Sequence, residues 1–416
     1  MLTYVQGHSR EGYARFEDLV NLNALQRAVL SSFQLNYDWI GSKFPSDIKL
    51  AVLCPRFSDL PSDKKQLVDG NTLYIFPPIG SRGCMHAKFM LLFYPGFLRV
   101  VITSANLTEY DWERLENVLW VQDFPTYADP PKSCRFGEDL INILREMTVP
   151  ESIIPAVRKA DFASCGATLV LSRPGTYTGV ELLRYGHPAL AEAVRSLKIP
   201  DFPREDTTVL AQTSSLGSLT LRWVNDFYRS CCGLPFGIWD ELTPLPPCHV
   251  LFPSARAVLE SNLGADGAGT ITFSQKQYEK ETFPRSVLRE SLSKRPGALM
   301  HSKTIIAGPP ADHPEPNKAT ETEPKSAIGV YYCGSHNATQ SAWGILQTSK
   351  RVSPSAKLEP FPGTSLRIAN WELGVVFPMG KDGRSAEDKG IQLVVPYQSP
   401  PRPYRASDQP WMDAWK

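Results

Sequence analysis

Two stretches of this chain repeat each other at a distance, Met85-His86-Ala87-Lys88 and Met300-His301-Ser302-Lys303, and each is followed by the same pattern of fixed offsets. Ser104-Ala105-Asn106-Leu107-Thr108 ends at Trp112, and Ser335-His336-Asn337-Ala338-Thr339 ends at Trp343. Four identities at matching offsets, preceded both times by His-x-Lys and an apolar run, mark an internal duplication. A duplicated chain builds two similar halves, and a pseudo-twofold axis can bring their equivalent loops face to face. Within each pair the i, i+2 spacing puts imidazole and ammonium on one side of an extended segment, where both converge on one small anion.

Each pair reads as the start of a strand that continues through Phe89 to Tyr94 or Thr304 to Ala307. Seventeen residues separate Lys88 from Asn106, against thirty-three between Lys303 and Asn337. Most of the excess is a stretch rich in Pro, Thr, Glu and Lys, read as a flexible insertion over 308–327 because it has little apolar area to bury.

Residues 12 to 33 carry apolar positions near the helical period and predict a helix. Short strand-like runs follow at Ile48 to Cys54, Leu73 to Phe76, Leu98 to Thr103 and Val118 to Val121. A second series begins at Ala167 to Leu171 and includes a helix over Ala189 to Leu197. Its strands are expected at Thr208 to Ala211, His249 to Phe252, Ile328 to Tyr332, Leu373 to Phe377 and Ile391 to Val395. The alternation predicts an α/β fold in two domains, 1–160 and 161–416, with one His-Lys pair in each. The Pro-rich tail from Pro396 to Pro410 ends in Trp411 and Trp415 and is expected to wrap back onto the body.

At 416 residues, 42% hydrophobic and 21% charged, the chain can bury a core in each of two domains. No apolar run approaches the ~20 residues of a membrane helix, and residues 1–7 open no signal peptide, so a soluble intracellular protein is expected. A net charge of +1 excludes bulk attraction to nucleic acid or anionic lipid, so any anion site must be local. The eight cysteines show no CxxC pair or zinc spacing and read as reduced, buried thiols.

Two His, two Lys and two Asn suit a phosphodiester. A neutral imidazole attacks phosphorus to give a phosphohistidine, and a protonated one gives its proton to the leaving oxygen. Lys and Asn hold the non-bridging oxygens. No Asp/Glu cluster flanks either His, so neither metal nor cofactor is expected. Blander readings exist for each piece: a solvated His-Lys pair, or glycosylation sequons at Asn106-Leu107-Thr108 and Asn337-Ala338-Thr339. Of the seven histidines, His336 beside Asn337 is the tempting bystander.

These residues resemble the phospholipase D superfamily, whose duplicated His-x-Lys motifs meet at a domain interface. That superfamily usually has an Asp five residues past the Lys, where this chain has Phe93 and Gly308. His-x-Lys with a distant Asn and no Asp is similar to the tyrosyl-DNA phosphodiesterase family. The likeness extends to Leu98 through Leu107 with Asp111-Trp112, to Gln212 through Leu219, to Trp371 through Pro378, and to Val395-Pro396-Tyr397 through Trp411.

The resemblance implies two α/β/α-sandwich domains of the phospholipase D type, related by a pseudo-twofold, with the active site between them. It implies a monomeric, nuclear DNA-repair enzyme that cleaves the bond between a tyrosine, the remnant of a topoisomerase I, and a DNA 3′-phosphate, with other 3′ adducts as further substrates. His86 would be the nucleophile and His301 the acid and base, with Lys88, Lys303, Asn106 and Asn337 on the phosphate. Glu372 matches a carboxylate that orients a His, and Asn117 stands where the family has Gln. Ser214, Ser215, Ser218 and Thr339 would contact single-stranded DNA, with Phe33 stacking on it. The alternatives are another phospholipase D-type phosphodiesterase or nuclease, and a catalytically silent module that binds DNA ends.

Overall fold

A computed structural model of the chain describes residues 1–80, 83–235, 244–309, 327–349, 360–380 and 395–415. Two seven-stranded sheets carry it. The first runs, in spatial order, Gln66–Asp69, Thr72–Ile75, Lys49–Leu53, Arg27–Ser31, Phe89–Tyr94, Phe97–Thr103 and Leu119–Pro125. The second runs Leu288–Glu290, Cys248–Phe252, Thr208–Gln212, Thr304–Gly308, Ala327–Gly334, Glu372–Gly380 and Thr168–Ser172. Six strands correspond, from Thr72–Ile75 to Leu119–Pro125 in one sheet and from Leu288–Glu290 to Glu372–Gly380 in the other. In both, two parallel pairings are followed by three antiparallel ones. The duplication seen in two short motifs therefore runs through the backbone of both halves.

Period-two alternation sorts the side chains of each sheet. Val29, Ala51, Leu53, Leu91 and Phe93 point into a core shared by the two sheets, where Val100, Ile102 and Trp120 join Tyr331, Cys333, Leu373 and Val375. Helix Arg135–Glu146 adds Phe136, Leu140 and Leu144 to the same core. On the opposite face Ala28, Leu30, Leu50, Val52, Met90 and Leu92 pack against Phe16, Trp39 and Ile40. Helices Gly186–Ser196 and Leu221–Cys231 cover the outer face of the second sheet, with Leu190, Val194, Trp223 and Phe227 against Val209, Ala211 and Val250. Each such Val, Leu, Ile, Met or Phe side chain contributes about 1.5–3 kcal/mol on burial. One continuous core between the sheets fixes the relative position of the halves.

The sequence pattern misleads at three places. Residues 12–33 are not one helix: a short turn Phe16–Leu19 is followed by strand Arg27–Ser31. Leu25, Ala28, Val29 and Leu30 fit a helical stripe, but a central strand buried on both faces also reads as a continuous apolar run. The His-Lys pairs precede their strands, which begin at Phe89 and Thr304. Both pairs are nonetheless extended, each tied by a single parallel bridge, Met85 to Trp371 and Met300 to Glu116. The tail wraps back as expected, bridging Ser293 through Tyr397, Arg289 through Pro403 and Ser254 through Pro410, and Trp411 is buried. Trp415 stays 45% exposed. Of the insertion expected over 308–327, residues 310–326 lie outside the described residues, as do 391–394 of the strand expected over Ile391 to Val395, while Gly308 and Ala327 end and begin strands.

Candidate active site

The repeated string explains itself residue by residue. Thr108 and Thr339 cap the short helices Glu109–Glu113 and Gln340–Trp343, accepting from the backbone N–H of Asp111 and Ala342. Trp112 and Trp343 are buried behind those helices, and the Trp112 indole N–H donates 2.9 Å to the Asn106 carbonyl. Ser104 and Ser335 donate to the residues that start the next strand pairing: Ser104 Oγ to Asn117 Oδ1 at 2.8 Å, Ser335 Oγ to Glu372 Oε2 at 2.5 Å. Asn117 and Glu372 are thus equivalent positions of the two halves.

Their partners lie across the interface. His86 of the first half donates from Nδ1–H to Glu372 Oε2 of the second at 2.7 Å. His301 of the second half sets its Nδ1–H between Asn117 Oδ1 at 3.1 Å and Asp111 Oδ2 at 3.2 Å, both from the first. The backbone crosses in the same way, with His86 N–H donating to the Trp371 carbonyl at 3.0 Å and His301 N–H to that of Glu116 at 2.9 Å. Each imidazole is therefore held at Nδ1 by the opposite half, which leaves Nε2 for chemistry.

Both asparagines are locked in one amide orientation. Asn106 Oδ1 accepts from the Gln34 N–H at 3.1 Å. Asn337 Oδ1 accepts from Thr213 Oγ1 at 3.0 Å and from Ser214 N, Ser214 Oγ and Ser215 N at 3.1–3.2 Å. With the oxygens committed, each amide presents its Nδ2–H2 as a donor. Lys88 and Lys303 are fully buried, and each donates from Nζ to the carbonyl of its own motif's His, at 2.7 and 2.5 Å.

Burial dominates the electrostatics. It pushes the Lys88 ammonium down to about 8 and Lys303 well below its ordinary value, against the pull of Glu372 and Asp111. Burial also lowers His86, although Glu372 works in the opposite direction. Burial and Lys303 bring His301 to about 4 despite Asp111. Burial works to raise the Glu372 carboxyl, yet its contacts with His86, His336 and Lys88 outweigh it and hold the group at about 2. Asp111 is lowered in the same manner by His301. Two buried lysines thus face two buried carboxylates, with neutral imidazoles between them, and a phosphate monoanion entering this site meets four fixed donors.

The sequence pattern of the tyrosyl-DNA phosphodiesterase family matches residues 1–405. The chain belongs to the tyrosyl-DNA phosphodiesterase family. It is 28% identical to tyrosyl-DNA phosphodiesterase 1 of Arabidopsis thaliana over 92% of this chain and 68% of the relative. Against the Drosophila melanogaster protein of the same name the identity is 27%, over 79% of this chain and 56% of the relative. The solved yeast tyrosyl-DNA phosphodiesterase shares the fold, with a TM-score of 0.70 at 18% identity and 99% of each chain covered.

Among the residues that family likeness singled out, His86, Lys88, Asn106, Asn117, His301, Lys303, Asn337 and Glu372 gather at this one site. Phe33 joins them, its ring 5.4 Å from that of His86 and under the Lys88 ammonium at 5.8 Å. Ser214 and Ser215 reach the site through Asn337. Thr339 sits one helical cap away from it, and Ser218 lies apart, accepting from the exposed Lys280 at 3.3 Å. His336 is packed away, sharing hydrogens with Tyr332 and Ser172 and stacked on Trp343 at 4.1 Å. Among the described residues no cluster of three or more His, Cys, Asp or Glu is arranged to hold a metal ion.

Five members of the site carry no sequence assignment. Asp111 lies inside the first repeat, where its counterpart Ala342 has no side chain to compare, so the duplication itself hid it. Ser104 and Ser335 are legible only as part of the repeated spacing, and Thr213 only as a turn residue. Asn370, whose Nδ2 donates to Glu372 Oε1 at 3.1 Å, gave no signal at all.

Proposed function

We propose that this chain hydrolyses the phosphodiester bond between a tyrosine and a DNA 3′-phosphate through a phosphohistidine on His86. The observation that carries the reading is the crossed pair of imidazoles, each fixed at Nδ1 by the other half, with two lysines and two amides as oxyanion donors. His301, neutral in the free site, takes up a proton as the phosphate anion enters; His86 Nε2 then attacks phosphorus while His301 Nε2 gives that proton to the tyrosine oxygen. The protein–DNA adduct then yields to water, from which His301 takes a proton, and the P–N bond breaks to leave a 3′-phosphate and free His86. Lys88, Lys303, Asn106 and Asn337 hold the non-bridging oxygens through both steps.

The same reading divides the chain into 1–160 and 161–416 and assigns single-stranded DNA to the arm of Ser214, Ser215, Ser218 and Thr339. The other arm takes a tyrosyl peptide from a type I topoisomerase, and Phe33 offers a stacking face at the meeting point. The protein acts as a monomer in the nucleus, trims other 3′ adducts in exonuclease fashion, and needs no metal. The name of the relatives, tyrosyl-DNA phosphodiesterase, supports the substrate, and the Ser/Thr/Gly composition around Asn337 supports close approach of a backbone phosphate.

The test uses an oligonucleotide with a 3′-phosphotyrosine. Wild type is expected to release tyrosine in EDTA, His86→Ala to form no covalent species, and His301→Asn to build up a DNA–protein band on a gel. A band that builds up equally in His86→Ala reverses the two roles. Activity lost in EDTA and restored by magnesium removes the metal-free mechanism, and turnover of phosphatidylcholine alone would point to the lipid branch of the fold.

A further inference from the structure

The residue before each orienting group anchors the opposite half, but the two halves use different chemistry. Trp371, before Glu372, donates its indole N–H to the Pro78 carbonyl at 2.8 Å. Glu116, before Asn117, forms an ion pair with Arg295, and both partners are buried, at 1% and 5% exposure. Buried ion pairs are costly to build, and this one is enclosed by further polar contacts. Ser293 Oγ donates to both Glu116 oxygens at 3.3 Å and accepts from the Arg295 N–H at 2.9 Å. Arg295 Nη1 donates to the Thr3 carbonyl at 3.0 Å, and its guanidinium lies 4.2 Å over the Tyr13 ring.

Thr3 completes the enclosure. Its hydroxyl donates to the Leu115 carbonyl at 3.0 Å and accepts from the Asn117 N–H at 2.9 Å, and its own N–H donates to the Asn117 carbonyl at 2.9 Å. Residues 115–117 are thus gripped on one side by Thr3 and on the other by Arg295. The same three residues supply His301 with its backbone acceptor, the Glu116 carbonyl, and its side-chain acceptor, Asn117 Oδ1. Nothing in this brace touches His86, whose supports are Trp371 and Glu372.

We propose that the Glu116–Arg295 pair is a positioning brace for His301 and so sets the rate at which the covalent adduct is hydrolysed rather than the rate at which it forms. This rests on the assignment of His301 as acid and base given above. Breaking the brace frees the segment that carries the Glu116 carbonyl and Asn117, so His301 loses register with the water it must activate. The adduct-forming step suffers less, because a tyrosine oxygen with a pKa of about 10 leaves with modest acid assistance.

Arg295→Met leaves Glu116 buried without its partner, so the fold itself is at risk, and the double variant Glu116→Gln/Arg295→Met removes both charges together. Arg256→Met is the control, since its partners Glu290 and Asp408 belong to the tail contact. In single turnover on the 3′-phosphotyrosyl oligonucleotide, adduct decay in the double variant is expected to slow tenfold or more, with formation within about threefold of wild type and Arg256→Met unchanged. Equal slowing of both steps, or wild-type decay in the double variant, overturns the brace.

A readout without substrate keeps the two readings separable. In the full chain with ring-labelled histidine, the His301 resonance is identified by its loss in His301→Asn. In the double variant it is expected to shift and to titrate above its starting value of about 4, while the His86 resonance holds still. A wild type that forms no adduct while His301 still moves in this way refutes the substrate reading and leaves the brace standing. An unmoved His301 resonance refutes the brace.

Discussion

Glu372→Gln is the substitution that most directly probes how His86 becomes a nucleophile. Three donors converge on the native carboxylate: His86 Nδ1–H at 2.7 Å and Ser335 Oγ–H at 2.5 Å on Oε2, and Asn370 Nδ2–H at 3.1 Å on Oε1. An amide has only one acceptor oxygen. If that oxygen keeps its place toward His86 and Ser335, the new NH2 group meets the NH2 of Asn370, donor against donor. If it turns around, the NH2 faces His86, and the imidazole can accept it only by moving its proton from Nδ1 to Nε2. The second arrangement puts a hydrogen on the very nitrogen that must attack phosphorus.

The size of the effect follows from the carboxyl's own equilibrium. Its fall from 4.5 to about 2, shared among His86, His336 and Lys88, corresponds to roughly 3 kcal/mol favouring the ionised group in this setting. Losing that much preference for a correctly oriented, charge-matched His86 slows adduct formation by roughly 10²-fold or more. Because the folded value is depressed, the carboxylate's contribution to stability is fully present above about pH 4.5 and is lost as pH falls toward 2. The stability difference between wild type and Glu372→Gln should accordingly be flat near pH 7, below the titration of Lys88 at about 8, so a kinetic defect there with an unchanged melt is not an unfolding artefact. Rapid-quench gels give the formation rate, and thermal melts give the stability. A variant that folds and forms adduct at the wild-type rate would mean that Glu372 neither orients His86 nor supports its charge.

Three further outcomes follow from the same geometry. Because burial brings Lys88 down to about 8, its ammonium is lost above that pH, and kcat/KM should fall on an alkaline limb near pH 8; kcat should lack this limb, since bound phosphate holds the proton in place. Asp111→Asn should slow adduct decay about tenfold with a smaller effect on formation, measured by the same quench, because the carboxylate lies 3.2 Å from the His301 imidazole and makes no contact with that of His86. Asn117→Gln should cost about 1–3 kcal/mol in thermal or urea unfolding, because the longer side chain must enter a fully buried site already closed by Ser104 and the Asp111 carbonyl.

The fold was legible where periodicity was clean and the duplication could be read twice. Strands such as Phe89–Tyr94 and Glu372–Gly380 announce themselves as apolar runs, and the repeat places them in equivalent positions without any coordinates. Arg27–Ser31 was misread because a strand buried on both faces loses the alternation that identifies strands, and its neighbours completed a helical stripe by accident. The edge strands Gln66–Asp69 and Gly175–Thr178 carry too few apolar residues to register. At the site, the repeat revealed only what both halves share. Glu372 and Asn117 entered through family likeness, since neither has a partner nearby in sequence. Asp111 and Arg295 differ between the halves and act across the interface, so no local pattern could connect either to His301.

That difference between the halves is where the labour divides. In the proposed mechanism His86 Nε2 bonds to phosphorus while Nδ1 keeps its hydrogen, so the ring carries a positive charge for as long as the adduct lives and the position facing it needs a full negative charge of its own. Glu372 supplies one at 2.7 Å, fixed by Ser335 and Asn370 before the substrate arrives. His301 has the opposite need, to release a proton, take one back and end each step uncharged. A carboxylate bound as tightly there would hold the proton too well. The structure gives it instead a neutral amide at 3.1 Å and a carboxylate at 3.2 Å that also accepts from the Asn106 N–H, with Lys303 nearby opposing the charge. Two imidazoles that begin as copies of one motif are thus set apart by what the other half places against Nδ1: a full countercharge for the group that must stay charged, and a divided one for the group that must not.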